Sequence, residues 1–149
     1  MRRVSREYTV NRTIEEVFSF FSNAENLEQL TPEDLNFRIF TPLPIIMGKG
    51  TLIDYKIILG GIPFKWQTEI TQWEPPLRFV DVQRKGPYKI WIHEHLFIPD
   101  GSQTNVIDNV EFKPKGWIFE PLIYLFFVEK KLNRILDYRQ SRFKSIFGE

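Results

Sequence analysis

From Asn36 to Lys113 the chain is cut at short intervals by turn chemistry: Gly48-Lys-Gly50, Gly60-Gly61, Pro75-Pro76, Gly86-Pro87 and Asp100-Gly101. Between these breaks lie segments rich in β-branched and aromatic residues at 36–41, 51–59, 62–73, 77–84, 88–98 and 103–113, which read as six strands. A parallel crossover needs about a dozen residues or more, and none of these connections has them. The six strands must therefore follow one another as antiparallel neighbours.

The flanks of this run read as helix. Ser5 to Asn11 alternates as a first strand, and Thr13-Ile-Glu-Glu16 is a capping box leading into Val17, Phe18, Phe20 and Phe21. A second short helix is expected from about Ala24 to Leu30, ending before Pro32. After Gly116, a long helix from about Pro121 to Phe147 carries Leu122, Leu125, Phe126, Leu132, Leu136, Phe143 and Phe147 as one stripe. At 1.5 Å per residue it would run roughly 40 Å, enough to cross several strands. The expected architecture is α+β, in the order β-α-α-β6-α, as one domain over residues 1–149: a curved antiparallel sheet wrapped around a long C-terminal helix.

Charge and composition narrow the function classes. Lys and Arg number 20 against 19 Asp and Glu, a net +1, without the basic excess of a nucleic-acid module. Cysteine is absent, which excludes thiol nucleophiles and thiolate metal sites. The N-terminal residues lack the apolar core of a signal peptide. The most apolar run, Ile118 to Val128, is interrupted by Glu120 and Pro121 and falls short of the ~20 residues of a membrane span. A cytoplasmic protein with no stable membrane insertion is expected. Aromatic residues make up 15%, while the sole alanine is Ala24, a composition that suits either a bulky core or the wall of an apolar cavity.

Several segments carry a resemblance. The run Phe79-Val-Asp-Val-Gln83, Gly86-Pro-Tyr88 and Trp91-x-His-x-His-x-Phe97, together with Thr31-Pro32, Leu35-x-Phe37, Gly50-Thr-Leu-Ile-Asp-Tyr55 and Trp66-x-Thr-Glu-Ile70 before Trp73-Glu-Pro-Pro76, resembles the SRPBCC superfamily. That group includes START-like, birch-allergen (Bet v1-like) and polyketide cyclase-like proteins. Over the whole chain the resemblance implies a helix-grip fold, with a cavity between sheet and last helix for an apolar or amphipathic molecule. It implies neither cofactor nor metal.

Hairpin parity says which side chains face that cavity. The Gly60-Gly61 turn pairs Leu59 with Ile62 and sets Tyr55 opposite Trp66. A turn over Glu74–Leu77 pairs Trp73 with Arg78, Ile70 with Asp81 and Thr68 with Gln83. The Asp100-Gly101 turn pairs Pro99 with Ser102, His93 with Asp108 and His95 with Val106. An odd loop or bulge over Arg84–Tyr88 puts Phe79, Asp81 and Gln83 on the face of Trp91, His93, His95 and Phe97; a one-residue slip reverses this. The resemblance favours the shared face. The ligand-binding wall is then Tyr55, Trp66, Thr68, Asp81, Gln83, Trp91, His93, His95 and Asp108.

The chemistry of that wall has more than one reading. His93 and His95 with Asp108 supply three metal-type ligands, too few to expect a metal. His93 and Asp108 are the candidate catalytic pair for a cyclase, dehydratase or hydrolase reaction, or else a hydrogen bond inside a polar-lined pocket. Asp81 and Gln83 either read a ligand's hydroxyl or carbonyl or fix strand register. Binding, transport or sequestration of a small hydrophobic or amphipathic molecule is the leading expectation; the alternatives are the acid–base enzyme and a lipid carrier docking on membranes through Leu122–Val128. The basic residues of the last helix (Lys130, Lys131, Arg134, Arg139, Arg142 and Lys144) read as a solvated face. The outer sheet face, with Val80, Val82, Ile90, Ile92, Leu96 and Ile98, is apolar enough to ask for cover, by a second copy of the chain in a homodimer or by long basic side chains lying over it.

Overall fold

The computed structural model describes residues 1–59, 61–115 and 121–147, with side chains of the last segment from Val128 onward. Strand β1 (Arg2–Val10) leads into helix α1 (Ile14–Phe21), whose Thr13 cap accepts the Glu16 N–H at 3.4 Å. The expected second helix shrinks to a 3-10 turn at Ala24–Leu27, followed by another at Glu33–Leu35. Pro32 stands between them, and helical backbone does not run through the residue before a proline at low cost. Six strands follow: β2 (Arg38–Ile39), β3 (Leu52–Leu59), β4 (Ile62–Glu74), β5 (Arg78–Lys85), β6 (Tyr88–Asp100) and β7 (Gln103–Pro114). Helix α2 (Pro121–Phe147) closes the order at the expected bounds.

The seven strands form one antiparallel sheet in the order β1-β7-β6-β5-β4-β3-β2. The β3–β4 register is as read, with Tyr55 opposite Trp66. Two hairpins differ. In β6–β7 the turn residues are Gly101 and Ser102, so Asp100 pairs with Gln103, His95 with Asp108 and His93 with Val110. Gly101 has φ +62°, the left-handed backbone that a two-residue turn with glycine first requires. The shift from the expected pairing is two residues, so every side chain keeps its face. In β4–β5, Trp73 pairs with Phe79 rather than Arg78. Prolines offer no N–H, and the turn is closed one residue later by Leu77 N–H donating to Glu74 O at 2.9 Å. A bulge at Thr71 absorbs the extra residue, so Ile70 still faces Asp81 and Thr68 still faces Gln83.

The inner sheet face and α2 enclose the core. Around α1, Phe18, Phe21, Phe79 and Phe97 meet Phe143 of α2, with Phe21 and Phe143 stacked at 3.8 Å. Farther along, Val4, Val110 and Phe112 pack on Leu132 and Leu136. On the outer face Val80 is buried, and of the six apolar side chains expected there only Ile98 is exposed. Arg78 lies among them and reaches Glu94 at 2.8 Å, so a basic side chain supplies part of the cover. The side chains from Leu122 to Phe127, expected to form a docking face, lie outside the described residues.

Candidate functional site

Strands β5, β6 and β7 bring two carboxylates and two imidazoles into contact on the inner face. Asp81 stands opposite His93 across β5–β6, and Asp108 opposite His95 across β6–β7. The odd-length connection thus gives the shared face. His-x-His stacks the two rings 3.8 Å apart, and His95 also stacks on Phe79 at 4.1 Å. His93 Nε2 lies 2.9 Å from Asp108 Oδ1, a diagonal contact, since the two residues are not opposite one another. His95 Nε2 lies 2.6 Å from Asp81 Oδ2, and its Nδ1 is 3.5 Å from Asp108. His93 Nδ1 sits 4.0 Å from Asp81. Each imidazole therefore spans the gap between the same two carboxylates.

Burial sets the charge states of this cluster. It opposes ionisation of Asp108, but contacts from His93 and His95 outweigh it and hold the carboxyl well below the usual range. Asp81 is likewise opposed by burial and then lowered by the His95 hydrogen bond and the charge of both rings. For His93, burial and the neighbouring His95 win over the carboxylates, so its pKa falls. For His95 burial also acts downward, but Asp108 and Asp81 prevail and raise it. The two rings are thus pushed in opposite directions, His95 being the one that carries charge first.

Above the cluster lies an interior cavity of about 120 Å³ between the sheet and α2. That is less than the roughly 300–1,000 Å³ of an ordinary small-molecule site. Tyr55, Trp66, Thr68, Asp81, Trp91, His93 and His95 line it. Tyr55 stacks on Trp66 at 5.7 Å, and Trp91 meets Trp66 edge-on at 5.3 Å. Thr68 is buried 3.5 Å from Asp81 Oδ1. Asp108, 1% exposed, does not reach the cavity; it lies behind the rings and orients them. Gln83 does not reach it either. Its Nε2 donates to Tyr88 O at 2.7 Å and its Oε1 accepts the Tyr88 N–H at 3.0 Å, which clamps the β5–β6 turn. A Cβ on Gly86 would stand 2.5 Å from that Oε1, so the clamp needs glycine there.

Other walls come from segments that hairpin parity does not reach: Phe21 of α1, Leu27, Met47, and Leu132, Ile135 and Arg139 of α2. Arg139 departs from its expected place on the wet side of the helix. It stands three residues after Leu136 and four before Phe143, so it fills a gap in the apolar stripe, and that spacing is visible in the sequence. A metal would find Asp81, His93 and His95 with ligand atoms within 4.8 Å of one another. Any cation there would displace the His95–Asp81 hydrogen bond and share the site with the charge of Arg139, which Asp81 feels.

No family model and no curated protein sequence matches this chain. Among solved structures it is similar to the Zhui aromatase/cyclase from Streptomyces sp. R1128, with 13% identity over 99% of this chain and 93% of that one and a TM-score of 0.79. A START superfamily protein from Mycobacterium smegmatis is 14% identical over 98% and 97%, with a TM-score of 0.74. A protein from Thermus thermophilus is 18% identical over 97% and 99%, with a TM-score of 0.69. The chain thus has the helix-grip fold of START-like and polyketide cyclase-like proteins, as the sequence resemblance implied. Among the described residues, no helix is long and apolar enough to cross a membrane.

Proposed function

We propose that this chain binds a small apolar or amphipathic molecule in the cavity between sheet and α2. The observation that carries the reading is the wall itself: aromatic and aliphatic side chains around a space between sheet and helix, with a polar ridge at Asp81, His93 and His95. Burial of apolar surface at roughly 25 cal/mol per Å² would supply affinity, and the ridge would orient one polar end. The helix-grip fold supports a ligand cavity at this place, and a structural relative is an aromatase/cyclase. Acid–base catalysis through His93 and Asp108 is the weaker reading. His93 Nε2 is engaged by Asp108, and its Nδ1 and His95 Nε2 both face Asp81, so a substrate would first meet the Asp81 carboxylate rather than an imidazole.

Native mass spectrometry of the protein purified from its own source should find a copurified small molecule. Titration with para-nitroaniline, an uncharged single-ring dye, should quench the fluorescence of Trp66 and Trp91. Trp91→Ala, which removes a half-buried wall residue, should weaken the dye about tenfold or more while the protein still unfolds cooperatively. No copurified molecule and no dye binding would overturn the reading.

A further inference from the structure

The polar atoms of the cavity wall are unequally satisfied. Arg139 Nε is buried without a hydrogen-bond partner among the described residues, and so is the indole Nε1 of Trp66. Both atoms can only donate. The acceptors are occupied: Asp81 Oδ2 lies 2.6 Å from His95 Nε2, its Oδ1 is 3.5 Å from the Thr68 hydroxyl, and Asp108 Oδ1 lies 2.9 Å from His93 Nε2. His95 Nδ1, without a hydrogen bond of full geometry, is turned toward Asp108 rather than toward the guest space. Among the described residues, the salt bridges of Asp81 and Asp108 run to the two histidines and none to Arg139. Two residues of the wall thus carry spare buried donors, one of them on a permanent cation. A buried donor without an acceptor is costly, and more so on a charged group. A guest that brings an acceptor removes that cost.

We propose that the cavity takes a small aromatic acid, its ring against Trp66 and Trp91 and its carboxylate on the Arg139 guanidinium. This rests on the binding reading above and names the class of ligand. The planar guanidinium fork matches a carboxylate in two parallel hydrogen bonds, which a neutral carbonyl cannot reproduce. The volume of about 120 Å³ sets the size. An apolar cavity of about 150 Å³ accommodates benzene, so this smaller space takes at most a single ring and excludes a long acyl chain. The charge of Arg139 already acts on Asp81 and on the Tyr55 phenol, both on this wall, so its field enters the cavity.

Calorimetric titration with benzoate and with benzamide, its uncharged counterpart of the same shape, tests the proposal. The wild-type protein should prefer benzoate about tenfold or more. Arg139→Met should abolish that preference, weakening benzoate far more than benzamide, and Arg139→Lys, which keeps the charge and loses the fork, should retain part of it. Equal affinity for the two probes, or a preference that survives in Arg139→Met, would overturn the acid-binding proposal and leave the binding reading in place. If neither probe binds and the single-ring dye also fails, both fall. Should Arg139→Met not fold, the comparison of wild type with Arg139→Lys decides: an undiminished preference in the lysine variant overturns the fork.

Discussion

Replacing Asp108 by Asn changes almost no volume and removes the charge on which both histidines lean. The carboxylate is 1% exposed, lies 2.9 Å from His93 Nε2 and 3.5 Å from His95 Nδ1. Only the shorter contact has full hydrogen-bond geometry, and a bond to a charged group is worth about 1.5–3 kcal/mol. Breaking a buried pair by removing one partner costs about 3–5 kcal/mol when the other charge is stranded. His93 can stay neutral and Asp81 still holds His95, so the lower end applies, about 3 kcal/mol. For a chain of this length that is a fall in Tm of about 6–12 °C. Urea unfolding at neutral pH, followed by tryptophan fluorescence, should show a lower midpoint with an unchanged slope. The acid limb should change as well. A carboxylate whose folded pKa is depressed contributes stability above its unfolded pKa of about 3.9, lost as pH falls through the folded value. Wild type should therefore lose stability most steeply below about pH 4, and Asp108→Asn should lose it less steeply there. Asp100→Asn, at the exposed end of β6, serves as the control. A loss under about 1 kcal/mol at neutral pH, with the acid limb unchanged, would refute the view of Asp108 as the anchor of both rings.

Three other outcomes follow from the same geometry. His93 and His95 are the only histidines, so proton NMR should resolve two titrations, one below the usual value of about 6.5 and one above it. The raised His95 contributes stability that is complete below about pH 6.5 and lost as pH rises through its folded pKa; Asp108→Asn should bring that titration down, and an unmoved one would contradict the assignment. Gln83→Leu should cost about 1–2 kcal/mol in urea unfolding, from the two lost bonds to the Tyr88 backbone, and leave dye affinity unchanged; weakened dye binding would place Gln83 in the site after all. Equimolar zinc should leave Tm where it is, because a cation must compete with the His95–Asp81 bond and with Arg139; a rise of several degrees would make Asp81, His93 and His95 a metal site.

The strands were legible because turn residues mark their ends and because short connections leave antiparallel pairing as the only option. The faces are the same in sequence and structure for a physical reason: the β6–β7 register differs by two residues, which preserves parity, and the bulge at Thr71 cancels the one-residue difference in β4–β5 before Ile70. The turn errors themselves were local. Asp-Gly reads as a turn pair, yet the chain uses Gly-Ser; nothing in the pattern of alternation distinguishes the two. Asp81, His93 and His95 could be placed together from parity and resemblance, whereas the inward aim of Gln83 could not be refused, since its bond to Tyr88 depends on the path of the turn. Charge on a helix ordinarily marks a solvated face, yet the position of Arg139 in the Leu132, Leu136, Phe143 stripe points it inward. The size of the cavity depends on how deeply α2 settles, which no spacing in the sequence records.

The pairing of two imidazoles with two carboxylates also makes the polar ridge a lock on strand alignment. Asp81, the histidines and Asp108 come from three consecutive strands, and each contact crosses a boundary between them. Sliding β6 by one residue would carry both rings to the outer face and leave the carboxylates facing each other in a dry interior. The aromatic neighbours would tolerate such a slip far better, since Val80, Val82, Ile90, Ile92, Leu96 and Ile98 occupy most of the alternate positions of β5 and β6, beside the Arg78–Glu94 pair. Apolar alternation here is nearly symmetrical between the faces, and the four ionisable groups break that symmetry. Asp81, His93 and His95, which form the polar ridge of the cavity wall, thus also penalise, together with Asp108, assembling the sheet inside out.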